Sequence, residues 1–198
     1  NLTEDEKQNG ISRDKNYYVP YDKGDKDGNR WYLETPFAIA WSRENVGFLK
    51  TNSGRKGMGM PVVSNPQFYF KEGFCWSDIN TTFLKCRAKQ KSINDVKSMS
   101  LYGLSEQAPE YYIISIINSK FMSRYVNDFV NNTQTFQIND ARQLPIIVPS
   151  PEKLQQLYPL FQEALCLKKD GNTPTTEGDL KKVEDKIERL ILELYQMV

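Results

Sequence analysis

Apolar residues recur at helical spacing in one stretch near the middle of the chain. The positions that share this repeat are Tyr112, Ile113, Ile116, Ile117, Phe121, Tyr125 and Phe129. Steps of three and four place such side chains on one face of an α-helix. Pro109 suits the first helical position, because the N–H that it lacks would have no partner there. The pattern therefore predicts a single apolar helix that begins near Pro109 and continues to Phe129.

Short runs of β-branched and aromatic residues surround this helix, and turn-forming clusters at Asp22–Asn29 and Asn52–Gly59 separate some of them. The runs are Tyr17–Tyr21, Arg30–Leu33, Pro36–Trp41, Phe68–Lys71, Phe83–Arg87 and Pro145–Val148. Runs of this composition, bounded by turn residues, favour strands. We expect an α+β fold, a mixed and β-rich domain with one buried amphipathic helix.

The pattern changes after Pro149. A first apolar stripe runs from Leu154 to Leu165, and Pro159 is expected to kink or restart that helix. After a loop at Gly171–Gly178, apolar residues again recur every three or four positions. This seam predicts a C-terminal helical hairpin. The hairpin either closes the domain or acts as a spacer arm that docks a neighbouring domain, and the sequence leaves both roles open.

The 198 residues fit one medium domain with an appendage. We expect three regions: a polar leader over residues 1–16 that connects to a missing upstream catalytic region, a main domain over residues 17–150, and a helical spacer over residues 151–198. No apolar run approaches the roughly 20 residues that cross a bilayer. Three cysteines without CxxC spacing favour a reduced cytoplasmic protein with small buried thiols.

The chain contains no histidine. That excludes serine and cysteine catalytic systems that use a histidine base, and histidine-containing zinc sites. Asn65-Pro66-Gln67-Phe68 only superficially resembles the target-amine loop of an amino-methyltransferase. Carboxylate–lysine triplets such as Glu184-Asp185-Lys186 fit the letters of a metal-dependent nuclease, but they lie on a polar helix face. We expect no catalytic centre, cofactor or metal in this chain.

Positive charge is unevenly spread, although the net charge is only +1. Five basic residues between Lys85 and Lys97 stand against one acid, Asp95. Clustered cations matter more than net charge for binding a polyanion such as nucleic acid.

Five sequence blocks occur in an order that resembles a known family. They are Val19–Gly24 with Arg30-Trp31-Tyr32 and Ile39-Ala40-Trp41, then Asn65–Ser77, Asn118-Ser119-Lys120, Thr133–Asp140 with Leu144–Pro149, and Ile191–Tyr195. Together they resemble the specificity domain of type IIG restriction–modification enzymes and of the related phage-growth-limitation adenine methyltransferases. Cys75 departs from the pattern, because that family usually has threonine there.

The resemblance implies a division of labour. An upstream methyltransferase domain of the same polypeptide would bind S-adenosylmethionine, with Mg²⁺ if the enzyme also cleaves, and would flip the target adenine. This chain would read double-stranded DNA for that adenine-N6 methyltransferase or type II restriction enzyme, in the cytoplasm and without a membrane. The alternative is a protein-interaction or spacer module that docks a methyltransferase or restriction subunit, as in a type I specificity subunit. The sequence leaves the oligomeric state open.

Two clusters are candidates for the DNA contacts. In the first, Lys50, Asn52, Arg55 and Lys56 lie in or beside a glycine-containing loop. Arg55 suits a guanine edge, Asn52 suits adenine, and lysines suit phosphates. In the second, Lys85, Arg87, Lys89 and Lys91 alternate, so an extended strand would place all four on one face. The competing interpretations are an exposed flexible loop and a solvated strand face.

Overall fold

The computed structural model describes residues 2–23, 25, 28–34, 37–57, 63, 65–77, 83–95, 98–133, 135–171 and 173–197. Helices hold 47% of the chain and strands 15%. The expected mixed α+β class is therefore confirmed, with helix outweighing strand. The chain forms two compact units. The first comprises Asn1–Lys23, Thr35–Glu72 and Gln90–Ser98, and the second comprises Gly24–Glu34, Gly73–Lys89 and Met99–Val198.

The elements follow one another in a mixed order along the chain. The strands are β1 (Tyr18–Asp22), β2 (Ala38–Ala40), β3 (Gly73–Ser77), β4 (Cys86–Lys89), β5 (Ile93–Asn94) and β6 (Ser98–Leu101). The α-helices are α1 (Glu4–Asn9), α2 (Arg43–Asn52), α3 (Glu110–Ile117), α4 (Lys120–Tyr125), α5 (Ile138–Ala141), α6 (Pro151–Lys169) and α7 (Pro174–Leu194). A 3₁₀ turn spans Pro66–Phe68, and a π-helical turn spans Val126–Val130.

The first unit is built on a three-stranded sheet of order β2-β1-β5. Strand β2 is antiparallel to β1, whereas β5 is parallel to it. The buried apolar side chains of this unit form one cluster. They are Ile11, Val19, Trp41, Val46, Phe70 and Ile93. The cluster joins α2 to the sheet through Val46, and it includes Ile11 and Phe70, which follow α1 and the 3₁₀ turn along the chain.

Helix α1 corrects the prediction of an extended leader over residues 1–16. The Glu6 backbone N–H donates to Thr3 Oγ1 at 3.1 Å, and the Thr3 backbone N–H donates to Glu6 Oε2 at 2.9 Å. This reciprocal capping box satisfies backbone groups that would otherwise lack partners at the start of a helix. The Trp41 indole N–H donates to the carbonyl oxygens of Glu6 and Lys7. Within residues 2–16, α1 is therefore held by hydrogen bonds to Trp41, and Ile11 is buried in the core of the first unit.

The second unit contains the sheet β4-β3-β6. Strands β3 and β4 are antiparallel, with Phe74 opposite Ala88. A side chain at Gly73 would place its Cβ 2.3 Å from the Leu101 carbonyl oxygen, so only glycine allows this close approach between backbones. Trp31, Trp76 and the isoleucines of α3 lie in the core cluster of this unit.

The predicted helix from Pro109 to Phe129 is broken after Ile117. Asn118 ends α3, and its buried side chain pairs with the backbone of Cys86 in β4. The Ser119 hydroxyl then accepts the Met122 backbone N–H at 3.0 Å and caps a new helix, α4. A side chain that bonds to neighbouring backbone groups competes with helix continuation, which explains the break.

The C-terminal hairpin is an integral part of the second unit. Lys153 near the start of α6 pairs with Glu193 near the end of α7 at 2.5 Å, so the two helices are antiparallel. The side chains that the hairpin buries in the core are Leu157, Phe161, Ala164, Val183, Ile187 and Ile191. Helix α6 continues past Pro159 without a restart. The boundary expected near residue 150 therefore does not separate two compact units.

Two acids of α7 fix the hairpin in place. Glu184 accepts the Trp31 indole N–H at 2.7 Å and an Arg30 N–H at 2.8 Å. Glu188, one helical turn later, accepts the first backbone N–H groups of α4 at 2.7 and 3.0 Å. These contacts are those of a hairpin that closes the second unit, and the spacer role, which is compatible with closure, stays a prediction.

None of the helices in the described ranges combines the length and apolarity that crossing a bilayer requires. Cys75 and Cys86 are buried as expected, and burial raises the pKa of the Cys86 thiol. Cys166 differs from the expectation, because its side chain is exposed on α6.

Candidate nucleic-acid interface

The loop after α2 presents the first group of candidate residues. The Ser42 hydroxyl caps the start of α2, and Val46 anchors the helix in the core of the first unit. The helix ends at Asn52, and the chain turns at Gly54, whose φ of +74° lies in the left-handed region. Arg55 and Lys56 follow this turn, and both are exposed. Their exposure is common to both interpretations of this loop, the DNA contact and the solvated basic loop.

Arg55 differs from the other arginines of the first unit. Arg13 pairs with Glu44, and Arg43 pairs with Asp5 at 2.9 Å. In the part of the chain that the structure describes, no carboxylate lies within ion-pair distance of Arg55 or Lys56. The loop therefore carries two positive charges that no acid among the described residues neutralises.

Lys50 and Asn52 lie within α2 rather than in the loop. The Asn52 side-chain amide donates to the Phe48 carbonyl oxygen at 2.9 Å, which caps one of the last carbonyl groups of the helix. The Lys50 ammonium donates to Asn9 Oδ1 at 3.1 Å. Asn52 thus uses one of its two amide N–H groups within the helix, and its second N–H and its amide oxygen are the groups that a base contact would use.

The second candidate cluster is not a solvent-facing strip, which corrects the prediction. Arg87 and Lys89 are only 3% and 5% exposed, respectively. Trp31 forms a bridge beside Arg87, and the Lys89 ammonium lies 5.8 Å from the centre of the Tyr102 ring. Alternation along β4 does separate these residues from Cys86 and Ala88, but both faces of the strand are covered. Neither Arg87 nor Lys89 can reach a duplex from this position.

The two ends of the same run differ from its middle. Lys85 is partly exposed, and its side chain lies against the turn at Gly28. The two are so close that a Cβ atom added to Gly28 would lie 2.5 Å from the Lys85 ammonium nitrogen. Lys91 is exposed, and its ammonium lies 3.6 Å from Glu72 Oε1. An exposed pair at this distance contributes little and can open to another anion. The alternating cluster is therefore divided among different surroundings.

The second unit contains a cationic groove that sequence reasoning missed. It has a volume of about 360 Å³, and Arg30, Lys120, Lys168 and Lys181 line it together with Glu177 and Glu184. These cations come from the turn before Trp31 and from α4, α6 and α7. Arg30 is already paired with Glu184 at 2.8 Å. The first and last of these four cations, Arg30 and Lys181, are 151 positions apart in the sequence. No local sequence pattern could therefore have predicted that they lie together.

The chemistry that these surfaces allow is anion binding. Exposed arginine and lysine side chains donate charge-assisted hydrogen bonds to phosphate oxygens. Among the residues that the structure describes, no three histidine, cysteine, aspartate or glutamate side chains are grouped to hold a metal ion. No protein-family model matches this chain, and no curated protein matches it.

Proposed function

We propose that this chain reads double-stranded DNA as the target-recognition module of a restriction–modification adenine methyltransferase. The observation that carries the proposal is the loop after α2, where Arg55 and Lys56 are exposed without a described acidic neighbour. A duplex presents closely spaced phosphates with counterions condensed around them. Arginine and lysine side chains that neutralise these phosphates release the counterions, which favours binding. Arg55 can also donate two hydrogen bonds to a guanine edge in the major groove.

The five ordered sequence blocks support the same proposal. Their central residues are framework: Trp31, Trp76, Asn118 and Phe136 are all at most 4% exposed. The cationic loop lies between two of these blocks, after Trp41 and before Asn65. A framework that is common to a family, with a separate polar loop carried on it, suits modules that differ in the sequence that they read.

The proposal assigns the chemistry to another part of the same polypeptide. An upstream methyltransferase domain would bind S-adenosylmethionine, with Mg²⁺ if the enzyme also cleaves, and this chain would choose the site. Extrusion of a base and recognition of its neighbours are physically separable, because one needs a pocket and the other needs groove contacts. The proposed role also expects a cytoplasmic protein, since its DNA substrate is there.

A pair of double variants tests the proposal. Fluorescence anisotropy of a labelled duplex would be measured at low salt for Arg55→Ala/Lys56→Ala and for Arg13→Ala/Lys15→Ala. Both variants lose one arginine and one lysine from the first unit, but Arg13 and Lys15 pair with Glu44 and Glu6. We expect the loop variant to weaken binding by about 10- to 100-fold, as for the loss of two phosphate or base contacts.

The control variant should change affinity by less than about threefold, because its cations are already balanced by acids. Equal effects of the two variants would mean that net charge alone attracts DNA. An unchanged affinity of the loop variant would show that the loop after α2 is not the contact surface.

A second candidate function, docking of a methyltransferase or restriction subunit, is favoured by one surface of the second unit. A groove of about 870 Å³ lies along α4 and the end of α7, and its rim includes Phe83, Phe129 and Met197. These side chains are 41%, 76% and 61% exposed. Exposed apolar patches of this kind often mark protein interfaces.

Co-sedimentation with a methyltransferase subunit that lacks its own recognition domain tests this alternative. Phe129→Ser should abolish the complex if the groove is the interface, whereas Tyr158→Ser, on an exposed position of α6, should leave it intact. Absence of a complex with the native chain would remove this candidate.

A further inference from the structure

The first unit contains a cavity that neither candidate cluster explains. Its volume is about 400 Å³, and the described residues that line it come from α1, from Trp41 and α2, and from Val63 and the segment that starts with the 3₁₀ turn and ends at Lys71. Trp41, Val46, Leu49 and Phe70 form an apolar floor. This volume lies within the range of roughly 300–1,000 Å³ that is typical of small-molecule sites.

Aromatic rings give the floor a defined shape. Tyr69 and Phe70 both meet the Trp41 ring edge-on, with interplanar angles of 75° and 74° and centroid separations of 5.9 and 5.8 Å. The polar edge of Trp41 is already satisfied, because its indole N–H donates to carbonyl oxygens of α1. What remains toward the cavity is aromatic surface, which suits a flat ring.

Phe70, one of the residues of the cavity floor, has an unfavourable backbone conformation. Its φ is +59°, in the left-handed region that bulky side chains rarely adopt. Its backbone N–H donates to the Ser92 carbonyl oxygen at 3.0 Å, which fixes the turn from the β5 side. Strain of this kind persists where surrounding structure imposes it, and it is concentrated at functional sites.

The mouth of the cavity is cationic. Lys7, Lys50 and Lys71 line it, and Glu4 is the one acid among its described lining residues. The Lys7–Glu4 pair at 2.6 Å is solvent-accessible, with a 79% exposed glutamate, and the Lys71 ammonium lies 5.5 Å from the Phe68 ring centre. No buried carboxylate among the described residues holds any of the three ammonium groups. They can therefore turn toward an anion at the mouth.

We propose that this cavity binds one nucleotide, with the heterocyclic base on the aromatic floor and the phosphate among Lys7, Lys50 and Lys71. The side-chain amides of Gln8 and Gln67 also line the cavity and offer both donors and acceptors to the polar edge of a base. A free mononucleotide and a nucleotide extruded from DNA carry the same groups. The inference does not depend on DNA binding by the loop after α2, although Leu49 and Lys50 belong to the same helix.

Isothermal titration calorimetry of the whole chain with adenosine 5′-monophosphate tests the site. Adenosine and ribose 5-phosphate serve as half-ligands, because each lacks one of the two proposed contacts. We expect saturable binding of the nucleotide and at least about tenfold weaker binding of each half-ligand, since a lost charge-assisted contact or buried ring is worth that much.

Variants distinguish the cavity from general attraction of anions. Lys7→Ala/Lys71→Ala should weaken nucleotide binding by about tenfold or more. Lys15→Ala/Lys23→Ala removes the same charge outside the cavity, and its nucleotide affinity should stay within about twofold of that of the native chain. Leu49→Trp should block the cavity from α2. The lysine variants alter exposed side chains, so they remain informative if Leu49→Trp fails to fold.

A duplex that contains 2-aminopurine identifies the source of the nucleotide. A rise in its fluorescence with the native chain, absent in Leu49→Trp, would indicate an extruded nucleotide. No rise, together with binding of the mononucleotide, would indicate a free nucleotide as the ligand. The proposal is overturned if neither adenosine 5′-monophosphate nor its guanosine, cytidine and uridine counterparts saturate the chain up to about 10 mM. It is also overturned if Lys7→Ala/Lys71→Ala binds the nucleotide as tightly as the native chain does.

Discussion

Asn118 joins the central helix to the sheet of the second unit through one side chain. Its amide nitrogen donates to the Cys86 carbonyl oxygen at 2.9 Å, and its amide oxygen accepts the Cys86 backbone N–H at 2.8 Å. The Asn118 side chain therefore pairs with both backbone groups of Cys86 in β4, as a residue of a neighbouring strand would. The same residue ends α3. Because Asn118 is only 4% exposed, water cannot replace it when it is removed.

The cost of Asn118→Ala follows from these contacts. Two hydrogen bonds are lost, at about 1 kcal/mol each, and the buried Cys86 N–H loses that acceptor, at about 1–3 kcal/mol. The Cys86 carbonyl keeps one donor, the Trp31 backbone N–H at 2.9 Å, so only one backbone group is newly unsatisfied. We expect the free energy of unfolding of the second unit to fall by at least about 3 kcal/mol, the lower end of the sum of these contributions.

Urea unfolding followed by tryptophan fluorescence measures this change, because Trp31 and Trp76 belong to the second unit. With a urea dependence of about 2 kcal/mol per molar, the midpoint should fall by at least about 1.5 M. Asn127→Ala is the matched control, since Asn127 is exposed and bonds only to Asp128, and it should change stability by less than about 0.5 kcal/mol. A similarly small effect of Asn118→Ala would refute the reasoning that this amide completes β4.

Three further predictions concern the framework of the two units. Gly73→Ala should destabilise the second unit by more than about 2 kcal/mol, because the new Cβ would lie 2.3 Å from the Leu101 carbonyl oxygen; an unchanged urea midpoint would contradict this packing. Glu188→Ala should cost about 1–2 kcal/mol by removing the acceptor for two backbone N–H groups of α4, and Glu188→Gln should restore part of that loss in the same assay. The hydrogen bond from the Thr3 backbone N–H is the largest of the contributions that lower the pKa of Glu6 from 4.5 to about 2. The stability that Glu6 contributes is therefore present above pH 4.5 and is lost as the pH falls from 4.5 to 2. NMR titration should show a higher Glu6 pKa in Thr3→Pro, because proline lacks the donating N–H and suits the φ of −69° at this position, and an unchanged value would exclude this hydrogen bond as the cause.

Elements that depend on local periodicity were predicted well from the sequence. The C-terminal hairpin, the buried face of α3 and the strand β1 follow from apolar residues at fixed spacing, which is a property of each segment alone. Helix α1 was missed, because six residues without an apolar stripe give no periodic signal. The Thr3-x-x-Glu6 capping box was nevertheless present and would have indicated its start.

The Pro145–Val148 run shows why composition alone can mislead. It has the composition of a strand, yet it lies outside the six strands of the described chain. Tyrosine side chains take the place of a neighbouring strand, because the Tyr195 hydroxyl donates to the Pro145 carbonyl oxygen and the Tyr112 hydroxyl donates to the Ile147 carbonyl oxygen. Such long-range partners are not visible in a local pattern.

The candidate site was only partly predictable for the same reason. The exposure of Arg55 and Lys56 follows from their glycine-containing turn, which is local. The burial of Arg87 and Lys89 depends on Tyr102 and the Trp31 bridge, and alternation along a strand says only which side chains share a face. Periodicity therefore located the strand but could not show whether its second face is covered.

The salt dependence of duplex binding tests the central claim most directly. The affinity of the native chain for a labelled duplex would be measured between about 50 and 200 mM salt, where each neutralised phosphate contributes about 0.9 to the slope of log K against log salt. We expect measurable binding at the low end and a slope of about −2 or steeper. Arg55→Ala/Lys56→Ala should reduce its magnitude by about 1 if Arg55 contacts a base, and by almost 2 if both residues neutralise phosphates. A native chain that fails to bind duplex at about 50 mM salt, or binds with an affinity independent of salt, would contradict the proposal that this protein reads DNA.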